Sequence, residues 1–567
     1  MFRKSKKNSQ LSLFSSSCNY LTGKSLKIFE DNSQWHNQFR VYITQRIDED
    51  VFRPLYCEGF GSPNASIRVL IGMMILKEAQ GWSDSQLFEE CRFNLLVRNS
   101  LCLMNIDDPI PAESTYYLLR KHIVEWENKG NENLIEKVFS QVTKSQAVEF
   151  QINGNKIRMD SKLLGSNIAW YSRYELIHET VRKVYRTFKT QIDSVMSESD
   201  ITLLEQLLIE SGDKVCYRSN NIELESKLTD LGRVIYTIIT RINNNTSELI
   251  QTLRRVFREQ YQVVDDIVSA LPKQEISAKS IQSPHDTDCH YRKKDEQQVK
   301  GYSINVTETC DTGEVLNLVT NVLVEAASAV DCDFLQSAVE NSQEVVCQKI
   351  ETINADGAYH SVDNQDYCEE NNIDLVLGGI QGKASRYDLT LNENNDLIVT
   401  DLQTNLIIPC RKIKTKKDDT EPKWSIKTEK GNMRYFSKKE IDTCYLRKQI
   451  ANRTQTELNL RNNVEATIFQ LGYHYPNAKS RYRGLIKHKI WANIRCLWIN
   501  FVRIMNYIVR KGTSYAQILK NRLFLFRFLS NNVNFAFVNS NFEYFCPVFL
   551  RTYPKYGFWR FSSFFKK

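Results

Sequence analysis

Residues 157–169 read IRMDSKLLGSNIA, and this stretch decides the class of fold. Two sets of side chains alternate along its first half, with Ile157, Met159, Ser161 and Leu163 on one side and Arg158, Asp160, Lys162 and Leu164 on the other. A period of two predicts a β-strand. An acid inside a strand is disfavoured, so Asp160 needs either a functional reason or an exposed position at a sheet edge.

The sequence before this strand is helical. Apolar residues recur at helical spacing from about Gln34 to Ile123, and Ser83 followed by Gln86 predicts a capping box at the start of one helix. Pro109 and Pro111 interrupt the pattern before another helix. We predict a compact helical domain whose surface arginines either contact DNA or are simply solvated.

The sequence after the strand indicates an α/β protein with an interruption. A long helical block covers about Tyr174–Leu271. Further elements are then predicted in the order strand 301–310, strand 315–325, helix 334–342, strand 346–355, strand 373–377, β-rich excursion 386–440, helix 457–471 and helix 480–510. Periodicity alone therefore predicts an α/β domain that carries a helical insertion.

Three acids in this domain are candidates for metal-assisted phosphodiester chemistry, which needs several carboxylates around divalent ions. Asp160 lies within a predicted strand, and Asp356 lies at the end of another, where α/β folds place ligand groups. Glu465 lies on a helix one turn after Arg461. Each also has an ordinary interpretation: an edge-strand acid, a turn aspartate before Gly357, and a surface Arg–Glu pair.

Several ordered stretches together resemble the bacterial insertion-sequence DDE transposases. They are GSPNASIRVLIGMMILKEAQGWSDSQLFEECRFN (61–94), PAESTYYLLRKHI (111–123), IRMDSKLLGSNIA (157–169), SPHDTDCHYRKKDEQQVKGYSINVTETCD (283–311), INADGAYHS (353–361) and RNNVEATIFQLGYHYPNAKSRYRGLIKHKIWANIRCLWINF (461–501). The resemblance implies an RNase H-like mixed-sheet catalytic core with a helical insertion, preceded by an all-α N-terminal domain. It also implies a catalytic, metal-binding triad of Asp160, Asp356 and Glu465, with Mg²⁺ or Mn²⁺ as the cofactor and two ions in the site.

The third acid departs from the family pattern. Related transposases carry a Tyr–Arg–Glu–Lys pattern on one helix, whereas here Leu458 stands in place of Tyr and Gly472 in place of Lys. Lys479 or Arg481 could replace that charge, and Glu457 is the rival of Glu465 as the last acid. For Asp286 and Asp288 we expect a role in positioning a loop. Tyr302 and Asn305 are expected on the strand beside Asp160.

The resemblance implies double-stranded DNA as partner, both the terminal inverted repeats of the element and its target. Residues expected to contact DNA are Arg461, Lys479, Arg481, Arg483 and Lys487. Joining two element ends implies a homodimer or a higher oligomer on DNA. We expect no membrane segment and a cytoplasmic, nucleoid-associated protein.

These interpretations divide the 567 residues into consecutive segments. They are a disordered basic N-terminus (1–33), a helical DNA-binding domain (34–150), the catalytic core (151–172 and 280–480, with the excursion 386–440), a helical insertion (173–279), a basic helix (481–511) and a tail (512–567). The tail holds eight basic residues and one acid, which leaves a net charge of +1 for residues 1–511 out of +8 overall. DNA contacts in the main body must therefore come from local patches.

The aromatic, basic tail could be a surface for stacking nucleic-acid bases, but its composition favours a shifted reading frame or a degenerate element end. We expect it to be poorly packed. The altered tail motivates one alternative function, a catalytically inactive DNA-binding descendant. A further alternative is a nuclease of the same fold that does not transfer strands.

Overall fold

The N-terminal region of the protein, seen in a computed structural model, is built from helices. The structure describes residues 1–5, 15–59, 61–294, 296–313, 315–380, 382–392, 396–413, 422–429 and 431–529, with the side chains of these except 476 and 513–529. The helices are α1 (Gly23–Glu30), α2 (Trp35–Tyr42), α3 (Ile67–Gln80), α4 (Asp84–Phe93), α5 (Leu95–Ser100), α6 (Glu113–Asn128) and α7 (Leu134–Glu149).

Helix α3 forms the centre of this region. Its residues from Ile67 to Ala79 are all buried, as expected for a helix that is apolar on every side. Helix α4 begins with the predicted capping box, in which Ser83 and Gln86 each bond the other's backbone N–H.

The expectation of disorder over 1–33 is wrong for the part that the structure describes. Residues 23–30 form α1, and the buried ring of Phe29 anchors it. The backbone carbonyl of Phe29 also accepts a hydrogen bond from the Asn37 side chain on α2 (2.8 Å). At the chain start, Lys4 pairs with Asp48 and Asp50. The polar, basic composition of this segment suggested disorder. Composition could not reveal the contacts of Lys4, because Asp48 and Asp50 lie far from it in the sequence.

The stretch 157–169 supplies strand β1 (Lys156–Gly165), as predicted, and an insertion follows it. The insertion contains α8 (Arg173–Val195), α9 (Glu198–Leu208), α10 (Gly212–Arg218), α11 (Asn221–Arg241) and α12 (Glu248–Gln260), which enclose their own apolar core. The predicted helical block to Leu271 ends earlier than expected, because 261–270 form a hairpin of β2 (Tyr261–Val264) and β3 (Ile267–Ala270).

The main sheet is mixed. It consists of β1 together with β4 (His290–Lys294), β5 (Gln297–Thr309), β6 (Val319–Ala326), β7 (Thr352–Ala355) and β8 (Asp374–Leu377). Strand β5 runs antiparallel to β1, β4 and β6, whereas β7 runs parallel to β1 and β8 parallel to β7. This arrangement confirms the mixed α/β class with a helical N-terminal region.

Helix α13 (Leu335–Val346) packs on one face of the sheet, against Ile157 and Met159. It extends further than predicted, so the predicted strand 346–355 is reduced to β7. Helix α14 (Val362–Glu370) follows the turn after Asp356. The expected β-rich excursion is present as two three-stranded antiparallel sheets, formed by β9 (Tyr387–Leu391), β10 (Leu397–Asp401), β11 (Leu406–Ile408), β12 (Arg411–Ile413), β13 (Lys423–Lys427) and β14 (Met433–Ser437).

The remaining helices come from the C-terminal part of the chain, and the last two of them pack on the other face of the sheet. They are α15 (Lys438–Asn452), α16 (Gln455–Asn459), α17 (Asn463–Leu471) and α18 (Leu485–Leu529). The helix predicted over 457–471 is broken, because a 3-10 turn at Leu460–Asn462 separates α16 from α17. None of the helices among the described residues is sufficiently long and apolar to cross a membrane. The tail expected to be poorly packed lies outside the described side chains from residue 513 onward.

Candidate active site

Asp160 lies on the face of β1 that is turned toward α17. Strand alternation places Arg158 and Lys162 on the same face, opposite to Ile157 and Met159. One carboxylate oxygen of Asp160 accepts a hydrogen bond from the Ser161 backbone N–H (2.8 Å), and only 17% of its side chain is exposed. Burial raises the pKa of Asp160 despite the opposing charge of Arg461, and the neighbouring negative charge of Asp356 adds to the increase.

Asp356 follows directly after β7, the parallel neighbour of β1. Arg158 is in register with Asn354, so Asp160 and Asp356 lie side by side two residues further along. The Asp356 carboxylate accepts a hydrogen bond from the Gly357 N–H (2.7 Å). Gly357 is required here because a Cβ at this position would lie 1.9 Å from the carbonyl oxygen of Gly379. The turn therefore fixes the carboxylate at the strand end.

Glu465 is in the first turn of α17, and Arg461 precedes it in the 3-10 turn. The Arg461 Nη2 atom lies 3.4 Å from Asp160 Oδ2, 3.9 Å from Asp356 Oδ2 and 3.7 Å from Glu465 Oε1. The structure thus brings the three predicted acids around one guanidinium group. Glu457 lies elsewhere: it caps α16 through hydrogen bonds with Thr454 and pairs with Arg453.

The donor set of this site suits a hard divalent cation, since carboxylate oxygens are the ligands that Mg²⁺ and Mn²⁺ prefer. Among the described residues, no group of three or more acidic, histidine or cysteine side chains is arranged as a ready-made metal site. Arg461 lies among the three carboxylates instead. Asp160, Asp356 and Glu465 are the residues that could hold such an ion.

A buried charge cluster attaches the helix of Glu465 to the sheet, and sequence analysis did not identify it. Glu308 on β5 is fully buried and accepts hydrogen bonds from Arg158 (2.6 Å), Thr467 (2.6 Å) and Arg503 (2.7 Å). Arg158 also donates to the Leu460 carbonyl (3.1 Å), one residue before Arg461. Burial alone would raise the pKa of Glu308, but the charges of Arg503 and Arg158 lower it overall.

The signal for this cluster was present in the sequence as an acid within the strand prediction 301–310. Its partners are about 150 to 195 positions away along the chain, so spacing could not identify them. The same strand carries Tyr302 and Asn305, which pair in register with Leu164 and Ser161 of β1 as expected.

The expected loop-positioning role of Asp286 agrees with its contacts. Its buried carboxylate accepts hydrogen bonds from the Tyr302 hydroxyl (2.6 Å), the Gly484 N–H (2.9 Å) and the Ser166 hydroxyl. Asp288 accepts one from the Leu485 N–H at the start of α18 (3.3 Å). Asp286 therefore connects the end of β1 to the start of α18, and Asp288 adds a second contact to the start of α18.

Of the other predicted DNA-contacting residues, Lys479, Arg481 and Arg483 lie on the segment that leads into α18, and Lys487 lies in its first turn. Lys479 donates to the Ile168 carbonyl (2.8 Å), Arg483 to the Asn167 carbonyl (2.6 Å), and Arg481 to the carbonyls of Gly81 and Trp82. The Lys487 side chain lines a cavity of about 350 Å³ between α3, α6 and α18. Neither Lys479 nor Arg481 forms an ion pair with the three acids, so neither replaces the charge missing at Gly472 there.

Lys162 is the cation that lies beside Gly472. A Cβ on Gly472 would be 2.8 Å from the Lys162 Nζ atom. Within the described part of the chain, Lys162 forms no ion pair and no side-chain hydrogen bond, and burial lowers its pKa. Sequence analysis placed Lys162 on the face of Asp160 but assigned it no role.

The fold and site define a protein with a helical N-terminal region and an α/β region that carries a cluster of acids. Residues 27–122, which span α1 to α6, match the family model of a transposase domain (DUF772). No curated protein and no solved structure matches the chain significantly. The family match supports a transposase function in general, for which DNA is the implied partner.

Proposed function

We propose that the chain is a DDE transposase of an insertion sequence. Its catalytic residues are Asp160, Asp356 and Glu465. The observation that carries the proposal is their convergence on Arg461, although they come from two strands and a helix that are separated by up to about 300 positions in sequence. An edge-strand acid, a turn aspartate and a surface ion pair have no reason to meet at one point.

The topology of the sheet supports the same proposal. Three antiparallel strands, β6, β5 and β1, continue into two parallel strands, β7 and β8, in the spatial order of an RNase H-like core. The helical insertion separates β1 from the rest of this sheet in the sequence. Asp160 lies on β1, and Asp356 directly follows the adjacent strand β7, where a rigid support holds catalytic groups firmly.

Asp160 and Asp356 would hold a shared divalent cation, with Glu465 completing a second site. Two such ions, Mg²⁺ or Mn²⁺, would activate the attacking oxygen and stabilise the leaving one. Glu465 has 63% of its side chain exposed, so it can reorient toward a cation or an attacking water. Arg461 is then released from the carboxylates and becomes available to a DNA phosphate.

The proposed reaction has two steps. Water first attacks the phosphodiester at each element end, the bond to the 3′ oxygen breaks, and a 3′-hydroxyl is released. That hydroxyl then attacks a phosphodiester of the target, forming a new bond while a target 3′-hydroxyl leaves. The helical domain and the exposed residues Arg481, Arg483 and Lys487 hold phosphates, and two or more copies of the chain bring the ends together.

The test uses the element's own terminal repeats, read from the DNA that flanks the gene. Full-length protein with Mg²⁺ and a terminal-repeat duplex should cleave at the repeat end and join the product to a plasmid. Binding without cleavage would identify an inactive end-binding descendant. Cleavage without joining would identify a nuclease of the same fold.

A further inference from the structure

We infer that Lys162 binds a DNA phosphate next to the three acids, an inference that rests on the proposed function. Lys162 lies two residues after Asp160 and on the same face of β1. The rise of a strand separates two such residues by about 7 Å, so the Lys162 side chain starts close to the acid cluster. A phosphate beside the one held at Asp160 would therefore lie within reach of the ammonium group.

The surroundings of Lys162 leave its charge without a protein partner. Its register neighbour on β5 is the buried Ile304, an apolar residue. In the described part of the chain, the Lys162 ammonium forms no ion pair with a carboxylate and no side-chain hydrogen bond. Lys189, by contrast, pairs with Glu205 (3.0 Å). Holding a half-buried ammonium without a counter-ion costs free energy, which an incoming anion recovers.

Gly472 creates the space that this ammonium occupies. It ends α17 with a φ of −91°, which any residue can adopt, so the backbone does not require glycine. What a side chain at 472 would meet is the end of Lys162, with Nζ at 2.8 Å and Cε at 3.6 Å from an added Cβ. A side chain at 472 would therefore start in the volume that the end of Lys162 occupies, and a lysine there would carry a positive charge in the same region.

Arg461 supplies a second spare donor in the same region. Its Nε atom is buried and has no hydrogen-bond partner among the described residues, whereas its Nη2 atom contacts the acids. The Arg461 guanidinium and the Lys162 ammonium thus come from the turn before α17 and from β1. Both sides of the acid cluster then present positive charge to the DNA backbone.

The experiment measures binding of the terminal-repeat duplex as a function of salt, in Ca²⁺ so that bound DNA is not cleaved. Lys162→Met should weaken binding and reduce the slope of log K against log salt by about 0.9, the effect of one lost phosphate contact. Lys162→Arg should retain the slope. Lys189→Met is the matched control, because it removes a lysine that is already paired, and its slope should equal that of the wild type.

The decisive variant moves the charge. Lys162→Met combined with Gly472→Lys should restore the salt slope that Lys162→Met alone has lost, since the new lysine enters the same volume. This recovery also excludes misfolding as the cause of the first loss. An unchanged slope in Lys162→Met, with normal wild-type binding, overturns the inference and leaves the proposed function intact. Absence of duplex binding by the wild type overturns both, whereas binding in Ca²⁺ followed by no cleavage when Mg²⁺ replaces it overturns only the proposed function.

Discussion

The Arg461 Nη2 atom lies 3.4 Å from the Asp160 Oδ2 atom, across 301 positions of sequence. This contact joins the first strand of the sheet to the turn before α17. Asp356 and Glu465 lie 3.9 Å and 3.7 Å from the same nitrogen. Four residues that are individually unremarkable thereby become one site, and the match of residues 27–122 to a transposase domain gives this site a chemical context.

The identity of the third acid can be tested with one pair of variants. Glu465→Gln should abolish cleavage of the terminal-repeat duplex, because it removes a carboxylate from the cluster around Arg461. Glu457→Gln should leave most of the activity, since the Glu457 side chain caps α16 through Thr454 and the loss of a cap costs only about 1 kcal/mol of stability. Equal loss of cleavage in both variants would contradict the assignment.

The turn that holds Asp356 gives a second prediction. Gly357→Ala should reduce cleavage strongly and destabilise the fold, because the new Cβ would meet the Gly379 carbonyl oxygen at 1.9 Å and displace the backbone next to Asp356. The matched control is Gly379→Ala, whose Cβ would have no atom within 4 Å. Rates of cleavage and thermal unfolding should separate the two variants, and a normal rate in Gly357→Ala would show that the turn does not position Asp356.

The sequence could predict the parts of the site that depend on local pattern. Alternation located β1 and the face of Asp160, and Asp356 before Gly357 marked the end of a strand. The expectation of an RNase H-like core came from the resemblance alone, since alternation cannot say which strands pair. Local pattern could not show the break at Leu460–Asn462, because an interrupted helix retains helical spacing on both sides.

Long-range packing determines what the sequence could not predict. Glu308 can be buried in its charged form because Arg158 and Arg503 pair with it. Neither arginine is near Glu308 in the sequence. Lys162 becomes notable only because Gly472 lies beside it. The helix α1 was mistaken for disorder because its anchor, Phe29, is a single buried ring in a polar stretch.

The Glu308 cluster should control stability. Glu308→Gln leaves the buried Arg158 and the partly buried Arg503 without a counter-charge and should lower the free energy of unfolding by about 3 to 5 kcal/mol. Thr467→Val, which removes one of the hydrogen bonds to Glu308, should cost about 1 to 3 kcal/mol and serves as the milder comparison. Denaturant unfolding of both variants tests this, and a change below about 1 kcal/mol in Glu308→Gln would contradict it.

The same cluster predicts a dependence on pH. The pKa of Glu308 is lowered in the folded state, so its contribution to stability is complete above its unfolded pKa, about 4.3, and is lost as the pH falls through the folded value. The stability difference between the wild type and Glu308→Gln should therefore be constant from pH 7 to about pH 5 and become smaller only in more acidic solution. A difference that already decreases between pH 7 and 6 would disagree with a lowered pKa.

The most direct test of the central claim is cleavage of the terminal-repeat duplex by Asp160→Asn and Asp356→Asn, measured beside duplex binding. Each substitution keeps the size of the side chain but removes the charge that a divalent cation needs. We predict that each lowers the rate of Mg²⁺-dependent cleavage by about a thousandfold or more, because several kcal/mol of transition-state stabilisation is lost, while duplex binding stays close to that of the wild type. Cleavage at the wild-type rate by either variant would contradict the account.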